Sequence, residues 1–220
     1  MSAWWAQLSL FLGVLFNGAI MTAIVTAGSF IVSMVLGVVS AACATSRSPL
    51  LRAISSVYVE VFRAVPILTQ LFIIYFGLGS IGIKLNPIPA ALAGFGLNGG
   101  ANLTEVFRGG IGAIDRGQTE AALSIGMTPL MALRYIVLPQ AFRIVLPSLT
   151  NFAIGLLKDT SLASAVAAPE LSFNANALVD RTFRSPEIYI LLALFYLAMS
   201  LPLSALARNL ERRSSRGHRA

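Results

Sequence analysis

The side chains able to do chemistry are few, and the most conspicuous group is Lys158-Asp159-Thr160-Ser161, which ends an otherwise apolar run. An ammonium and a carboxylate side by side, backed by two hydroxyls, can hold a zwitterionic solute through charge-assisted hydrogen bonds. If that run lies in a bilayer, each charge costs about 2.5–3.5 kcal/mol at mid-depth, so such residues face a cavity or a partner. The structural alternative has Lys158 extending to the interface while Asp159 pairs across a subunit boundary or caps the helix. Gln70, inside a second apolar run, is a further candidate for a polar path. Glu60/Arg63 and Glu105/Arg108 repeat one tetrapeptide, Glu-Val-Phe-Arg, 45 residues apart. At a spacing of i, i+3 each pair meets on one helix face, as a brace between helices at an inner gate or as an ordinary interfacial ion pair. Other chemistries are excluded. There is no G-x-x-x-x-G-K-[ST] phosphate loop. One histidine, His218, and one cysteine, Cys43, make neither a metal site, nor a Ser-His-Asp triad, nor a disulfide within the chain.

The elements that carry these residues are set by where charge is missing. Only 11% of the 220 residues are charged and 56% are hydrophobic, against about a quarter charged in a soluble domain. Met1 to Ser46 holds no charged side chain, and further gaps run over Ala64–Ile83, Leu85–Thr104, Ile144–Leu157 and Ile188–Ala207. About 20 mostly apolar residues cross a bilayer as a helix. The reading is an all-α integral membrane protein with about five transmembrane helices, near 18–44, 64–83, 86–108, 143–164 and 187–208. Residues 1–17 are expected along the interface with Trp4 and Trp5 as anchors, separated from the first span by a break at Asn17-Gly18. They are no signal peptide, because a basic n-region is absent and the uncharged stretch is too long. Residues 18–208 form the membrane domain and 209–220 a basic tail.

Charge also orients the chain. With the N-terminus outside, twelve of the sixteen Lys and Arg fall on the inner side, including Arg47, Arg52, Arg116, Arg134, Arg143, Arg208, Arg212, Arg213, Arg216 and Arg219. The positive-inside rule then puts the N-terminus in the periplasm and the C-terminus in the cytoplasm. The net charge of +7 is thus dispersed between and after apolar stretches and forms no nucleic-acid face.

The inner loop over about 109–142 has structure of its own. Gln118–Ser124 has helical composition and ends at Gly126, a C-terminal break. Thr128-Pro129 reads as an N-cap followed by proline at the first helical position, opening a second short helix that Leu138-Pro139 stops near Val137. Ala121, Ala122, Ile125 and Met127 offer a small apolar surface flanked by Glu120 and Arg134. Such a pair of helices either enters another protein's groove or lies on the membrane surface.

Glu120-Ala121-Ala122, Gly126 and the Ile136, Leu138, Pro139 set resemble the EAA loop of ABC-importer permeases, in which a coupling helix docks into a cleft on the ATP-binding subunit. Tyr58–Pro66, Glu105–Ile111, Leu138–Arg143 and Leu156–Leu162 are similar to motifs of the polar-amino-acid branch of type I importers, in that family's order from about Asn17 to Arg213. Ala101-Asn102 stands where the branch commonly has Ala-Tyr, and Ala165–Ala168 replaces a Val-Ile-Gly-Val type of run, so the particular substrate is left open. The resemblance implies a permease subunit that imports a polar amino acid or derivative by alternating access across the bacterial inner membrane. It also implies two ATP-binding subunits that carry ATP and Mg, a second permease subunit, and a periplasmic solute-binding protein. A self-contained channel or secondary transporter and a membrane-embedded enzyme are the other classes; neither needs a docking loop.

Overall fold

A computed structural model describes the backbone from Ser2 to Arg216 and the side chains from Gln7 to Leu210. The anchors Trp4 and Trp5, the tail arginines Arg212, Arg213, Arg216 and Arg219, and His218 lie outside the described side chains. Among the described residues the secondary structure is entirely helical. Helix α1 (Ser2–Ala44) is free of proline and of charge over its whole length. It is followed by α2 (Pro49–Ala64) and by α3 (Ile67–Ser80), which carries a π-helical turn at Ile73–Gly77. Next come α4 (Pro87–Gly112) and the short α5 (Arg116–Ser124). A long element, α6 (Pro129–Val166), is followed by α7 (Leu171–Thr182) and α8 (Ser185–Arg216).

Among the described residues, three helices are long and apolar enough to cross a membrane: Gln7–Ala44, Pro129–Val166 and Ser185–Leu210. A fourth span results if α2 and α3 count as one. Helix α4, placed in the sequence at 86–108, is long enough but is not among them. Its glycines, Asn98, Asn102 and Thr104 lower its hydropathy, and it tolerates them because its neighbours cover it: Ala90, Ala91, Phe95, Ala101, Leu103 and Thr104 are all buried. A helix enclosed by protein need not be apolar on every side.

The α1–α4 contact is close because both helices present small residues. Ser33 Oγ donates to the Phe95 and Gly96 carbonyls at 3.3 and 3.4 Å, and a Cβ at Gly96 would collide with the stiff, β-branched Val32. Helix α2 joins this pair through Ser40 and Ser55, whose hydroxyls are 2.8 Å apart, and through Tyr58, which donates to Leu97 O at 2.7 Å. Three apolar clusters fill the interior. One gathers Val25, Leu71, Phe95, Leu156 and Val166; another Phe11, Leu15, Leu171, Leu178 and Ile188; the third Leu103, Val145 and Leu149.

Three expectations are corrected. Helix α1 runs without interruption through Asn17-Gly18. Gly18 instead makes room for a neighbour, since a Cβ there would stand 2.8 Å from the Leu171 Cα. The span expected at 64–83 is a shorter helix sharply bent against its predecessor: α2 and α3 meet at 104° around Val65-Pro66. Pro66 has no N–H and disfavours helix at Val65, so α2 ends there with carbonyls to satisfy. Gln70 Nε2 donates to Phe62 O and Val65 O at 2.8 and 2.7 Å, and Asn98 Nδ2 donates to Phe62 O at 2.7 Å. Finally, Leu138-Pro139 does not stop the helix that begins at Pro129. A π turn at Leu133–Val137 shifts the register, with Leu138 N–H bonded five residues back to Leu133 O, and the helix continues through Pro139. The wider turn absorbs the donor that proline lacks.

Two substitutions test this packing. Gly96→Val should lower stability by about 1–3 kcal/mol through overpacking, whereas Gly109→Ala, which meets nothing within 4 Å, should leave the melting temperature in detergent unchanged or raise it. Gln70→Leu removes the partner of Val65 O and one of two at Phe62 O; a loss of about 1–3 kcal/mol is expected for the orphaned carbonyl. An unchanged melting temperature for Gln70→Leu would mean that the corner does not depend on the amide.

Candidate functional site

The loop between α4 and α6 is built by local capping. Asp115 Oδ1 accepts from Gly117 N at 2.6 Å to start α5. Gly126, at φ +86°, ends it in the left-handed region that favours glycine. Thr128 Oγ1 accepts from Met131 N at 3.3 Å, with Pro129 at the first helical position. Ala122 of the short α5 and Ala132 in the first turn of the long α6 are buried, while Glu120, Ala121, Gly126, Leu138 and Pro139 are exposed. Beside them Ile125 and Leu130 are 76% and 72% exposed. The apolar surface therefore includes Leu123, Leu130 and Met131, which the sequence reading omitted, and loses Ala122 to the interior.

Lys158 and Asp159 close the α-helical part of α6 and both are exposed. Thr160 is buried and donates to Leu157 O at 2.7 Å, so its hydroxyl is engaged in ending the helix; Ser161 is half-buried and its carbonyl accepts from Ser164 Oγ. No salt bridge joins Lys158 to Asp159 among the described residues. The cluster therefore divides: two charges face outward and Thr160 faces the core. Gln70 is 5% exposed, and its amide sits in the packed α2–α3 corner rather than on an open path.

The repeated tetrapeptides behave differently from each other. Arg108 pairs with Glu105 at 2.9 Å within α4. Glu60 instead accepts from Ser56 Oγ at 3.0 Å, and no salt bridge links Glu60 to Arg63 or α2 to α4 among the described residues. The ion pair on α4 is the ordinary intrahelical kind, and its half-exposed geometry gives it little energetic weight.

A residue missed in the sequence is Glu170, the N-cap of α7. It is fully buried and accepts from Ser172 N, Phe173 N, Tyr196 Oη and Thr22 Oγ1. Burial pushes its carboxyl above the ordinary carboxylate range, and the hydrogen bonds from Ser172, Phe173, Tyr196 and Thr22 pull it back. Its signal was local: an acid after Pro169, immediately before a helical stretch.

Comparison with known proteins gives this geometry a setting. Residues 33–216 match the family described as binding-protein-dependent transport system inner membrane component. The L-cystine transport system permease protein TcyL of Bacillus subtilis is 38% identical over 192 residues, covering 84% of this chain and 80% of that one. The glutamine transport system permease protein GlnP of Escherichia coli is 34% identical over 214 residues, 96% of each. Among solved structures, an amino acid ABC transporter with histidines superposes at a TM-score of 0.89 with 34% identity, over 94% of this chain and 97% of the other. A MetNI methionine ABC transporter in an inward-facing form shares the fold at a TM-score of 0.71 and 20% identity. The chain belongs to the binding-protein-dependent transport system inner membrane component family, as a multi-pass permease subunit of an ABC importer.

Proposed function

We propose that this permease imports a polar amino acid or amino-acid derivative by alternating access, driven by ATP-binding subunits that dock on the loop over 109–142. The carrying observation is that α6 is one helical element joining that loop to the outward-facing Lys158-Asp159 pair. At 1.5 Å per residue the path from Ala132 to Lys158 is about 40 Å long. A push on the loop is thereby delivered as a displacement of two charges on the far side of the bilayer.

Both ends of the rod suit their roles. At the loop, Glu120, Ala121, Ile125 and Leu130 form a small, exposed surface where the short α5 meets the root of α6, shaped to enter a groove on a partner. At the other end, Asp159 sits at a helix C-terminus, where the macrodipole disfavours a carboxylate. No hydrogen bond or ion pair within the described chain offsets that cost, and only the neighbouring Lys158 does. A substrate ammonium supplies the missing partner for Asp159, and Lys158 faces the substrate carboxylate. The likeness to cystine and glutamine permeases supports a substrate of this class.

The remaining parts follow the same reading. Five spans, with α2–α3 and α4 each counted as one, place the N-terminus in the periplasm and residues 209–220 in the cytoplasm. A second permease subunit, identical or closely related, completes the path. A periplasmic binding protein delivers substrate. ATP and Mg reside on the partner ATPases, and Glu105/Arg108 with Glu60 and Arg63 mark the inner boundary of the gate.

Two measurements test the two ends separately. Glu120→Lys should abolish co-purification of the partner ATPase from detergent while the permease keeps its melting temperature; retention of the ATPase would remove the docking role. Asp159→Asn should retain the ATPase yet raise the substrate KM by about tenfold or more in proteoliposomes, the equivalent of one charge-assisted hydrogen bond of about 1.5–3 kcal/mol. Unchanged uptake kinetics would take Asp159 off the substrate path.

A further inference from the structure

We infer that Glu170 is a positioning residue for transport: a buried carboxylate that ties the substrate-side end of α6 to the first and last membrane helices. This rests on the import reading above. A helix N-cap is ordinarily Ser, Thr, Asp or Asn, which satisfy the first N–H groups without burying a long acid. Glu170 does that local job through Ser172 N at 2.9 Å and Phe173 N at 2.8 Å. Its extra length serves two more donors from distant elements, Thr22 Oγ1 of α1 at 3.4 Å and Tyr196 Oη of α8 at 3.2 Å. Burying a carboxylate is costly unless every lone pair finds a donor. Here all four partners donate, so the ionised form fits them all, and each oxygen accepts a backbone N–H.

The knot is closed by its own members. Thr22 Oγ1 accepts from Leu171 N at 3.0 Å, Ser172 Oγ lies 2.9 Å from Tyr196 Oη, and Gly18 lets α1 approach the α7 backbone. Three helices therefore meet on one side chain. It stands just beyond the 3-10 turn Thr160–Val166 that continues from Asp159. Thr160, Ala163 and Val166 of that turn are buried, Ala168 is buried just after it, and Ala167 between them adopts a left-handed φ of 57°. When the docking loop displaces the root of α6, the Glu170 knot is the fixed point about which the Lys158-Asp159 end moves. Without it, the end drifts with the helix, and the swing of the loop is no longer converted into a change of access at the charges.

The test separates the tie from the cap. Glu170→Asp keeps the charge and the cap but is one methylene too short for Thr22 and Tyr196. Tyr196→Phe and Thr22→Val remove the tie from its far ends and leave the acid in place. Each variant is assembled with its ATPase and binding protein in proteoliposomes, and transport per ATP hydrolysed is measured alongside the substrate KM and the melting temperature. The expected result is retained ATPase capture, a KM within about twofold of wild type, and transport per ATP reduced about fivefold or more, the scale of a coupling between sites. Wild-type coupling in Glu170→Asp or in Tyr196→Phe overturns the proposal and leaves Glu170 a helix cap. A raised KM with unchanged coupling also overturns it, by placing the residue at the substrate. Failure of the wild-type chain to capture any ATPase is a different outcome, one that sinks the import reading itself.

Discussion

In a bilayer there is no water to satisfy a backbone amide, so every N–H and C=O freed where a helix bends must find a partner inside the protein. That constraint organises this molecule more than apolar burial does, because much of its apolar surface remains outward, with Phe16, Ile24, Ile31 and Val35 half-exposed or more along α1 alone. The breaks are where polar side chains gather. At the α2–α3 corner, Gln70 and Asn98 reach carbonyls of Phe62 and Val65. At the end of α6, Thr160 and Ser164 bond backward to Leu157 and Ser161. At the start of α7, Glu170 takes the first N–H groups. Each polar residue of this kind marks a place where the chain departs from a straight helix.

The same constraint explains the central helix. Helix α4 carries Gly94, Gly96, Gly99 and Gly100 within a single two-turn stretch, a composition that weakens an isolated helix. Against α1, α2 and α3 it becomes an asset, since close approach lets Ser33, Tyr58 and Leu71 pack on its backbone. Association between membrane helices depends on such packing, the apolar effect being nearly absent there. Among the described residues, a long helix that hydropathy does not mark as a membrane span is thus the one packed among α1, α2 and α3.

Legibility in the sequence followed the range of the interactions. The helices of the loop over 109–142 were readable because their stops and starts are local: Gly126 must adopt a left-handed conformation, and Thr128-Pro129 caps and opens a helix using residues three apart. Apolar run lengths gave the class of fold and the place of most helices. What escaped was set by contacts distant in sequence. Nothing near Pro66 shows that Asn98 will cap Phe62, so the sharp bend between α2 and α3 went unread. Asn17-Gly18 has the composition of a break, but Leu171, far along the chain, turns that glycine into a packing site. Pro139 carries a stop signal that a π turn overrides, a register shift with no clear sequence mark. Gln70 and Thr160 were recognised as polar residues in apolar surroundings, yet their hydroxyl and amide groups serve the backbone. Of the two Glu-Val-Phe-Arg repeats, Glu105/Arg108 forms the ion pair its spacing suggests, whereas Glu60 accepts from Ser56 instead.

The irregularities of α6 bear on how force passes through it. A straight helix of this length is stiff, and a push at its root displaces its far end as a unit. The π turn at Leu133–Val137 and Pro147 in mid-helix each remove or lengthen hydrogen bonds of the ladder, and kinks concentrate at such points. Compliance is therefore placed near the loop over 109–142 and around Pro147, while Leu156, Ala163, Val166 and Ala168 are packed into the core with Val25, Leu71 and Phe95. A rod that is flexible at its driven end and clamped at its working end converts a swing of the loop into a tilt of the middle. On the import reading proposed above, the segment around Phe152, whose ring lies 6.2 Å from that of Phe30, is then where α6 bends, and the Glu170 knot is the point about which the two exposed charges move.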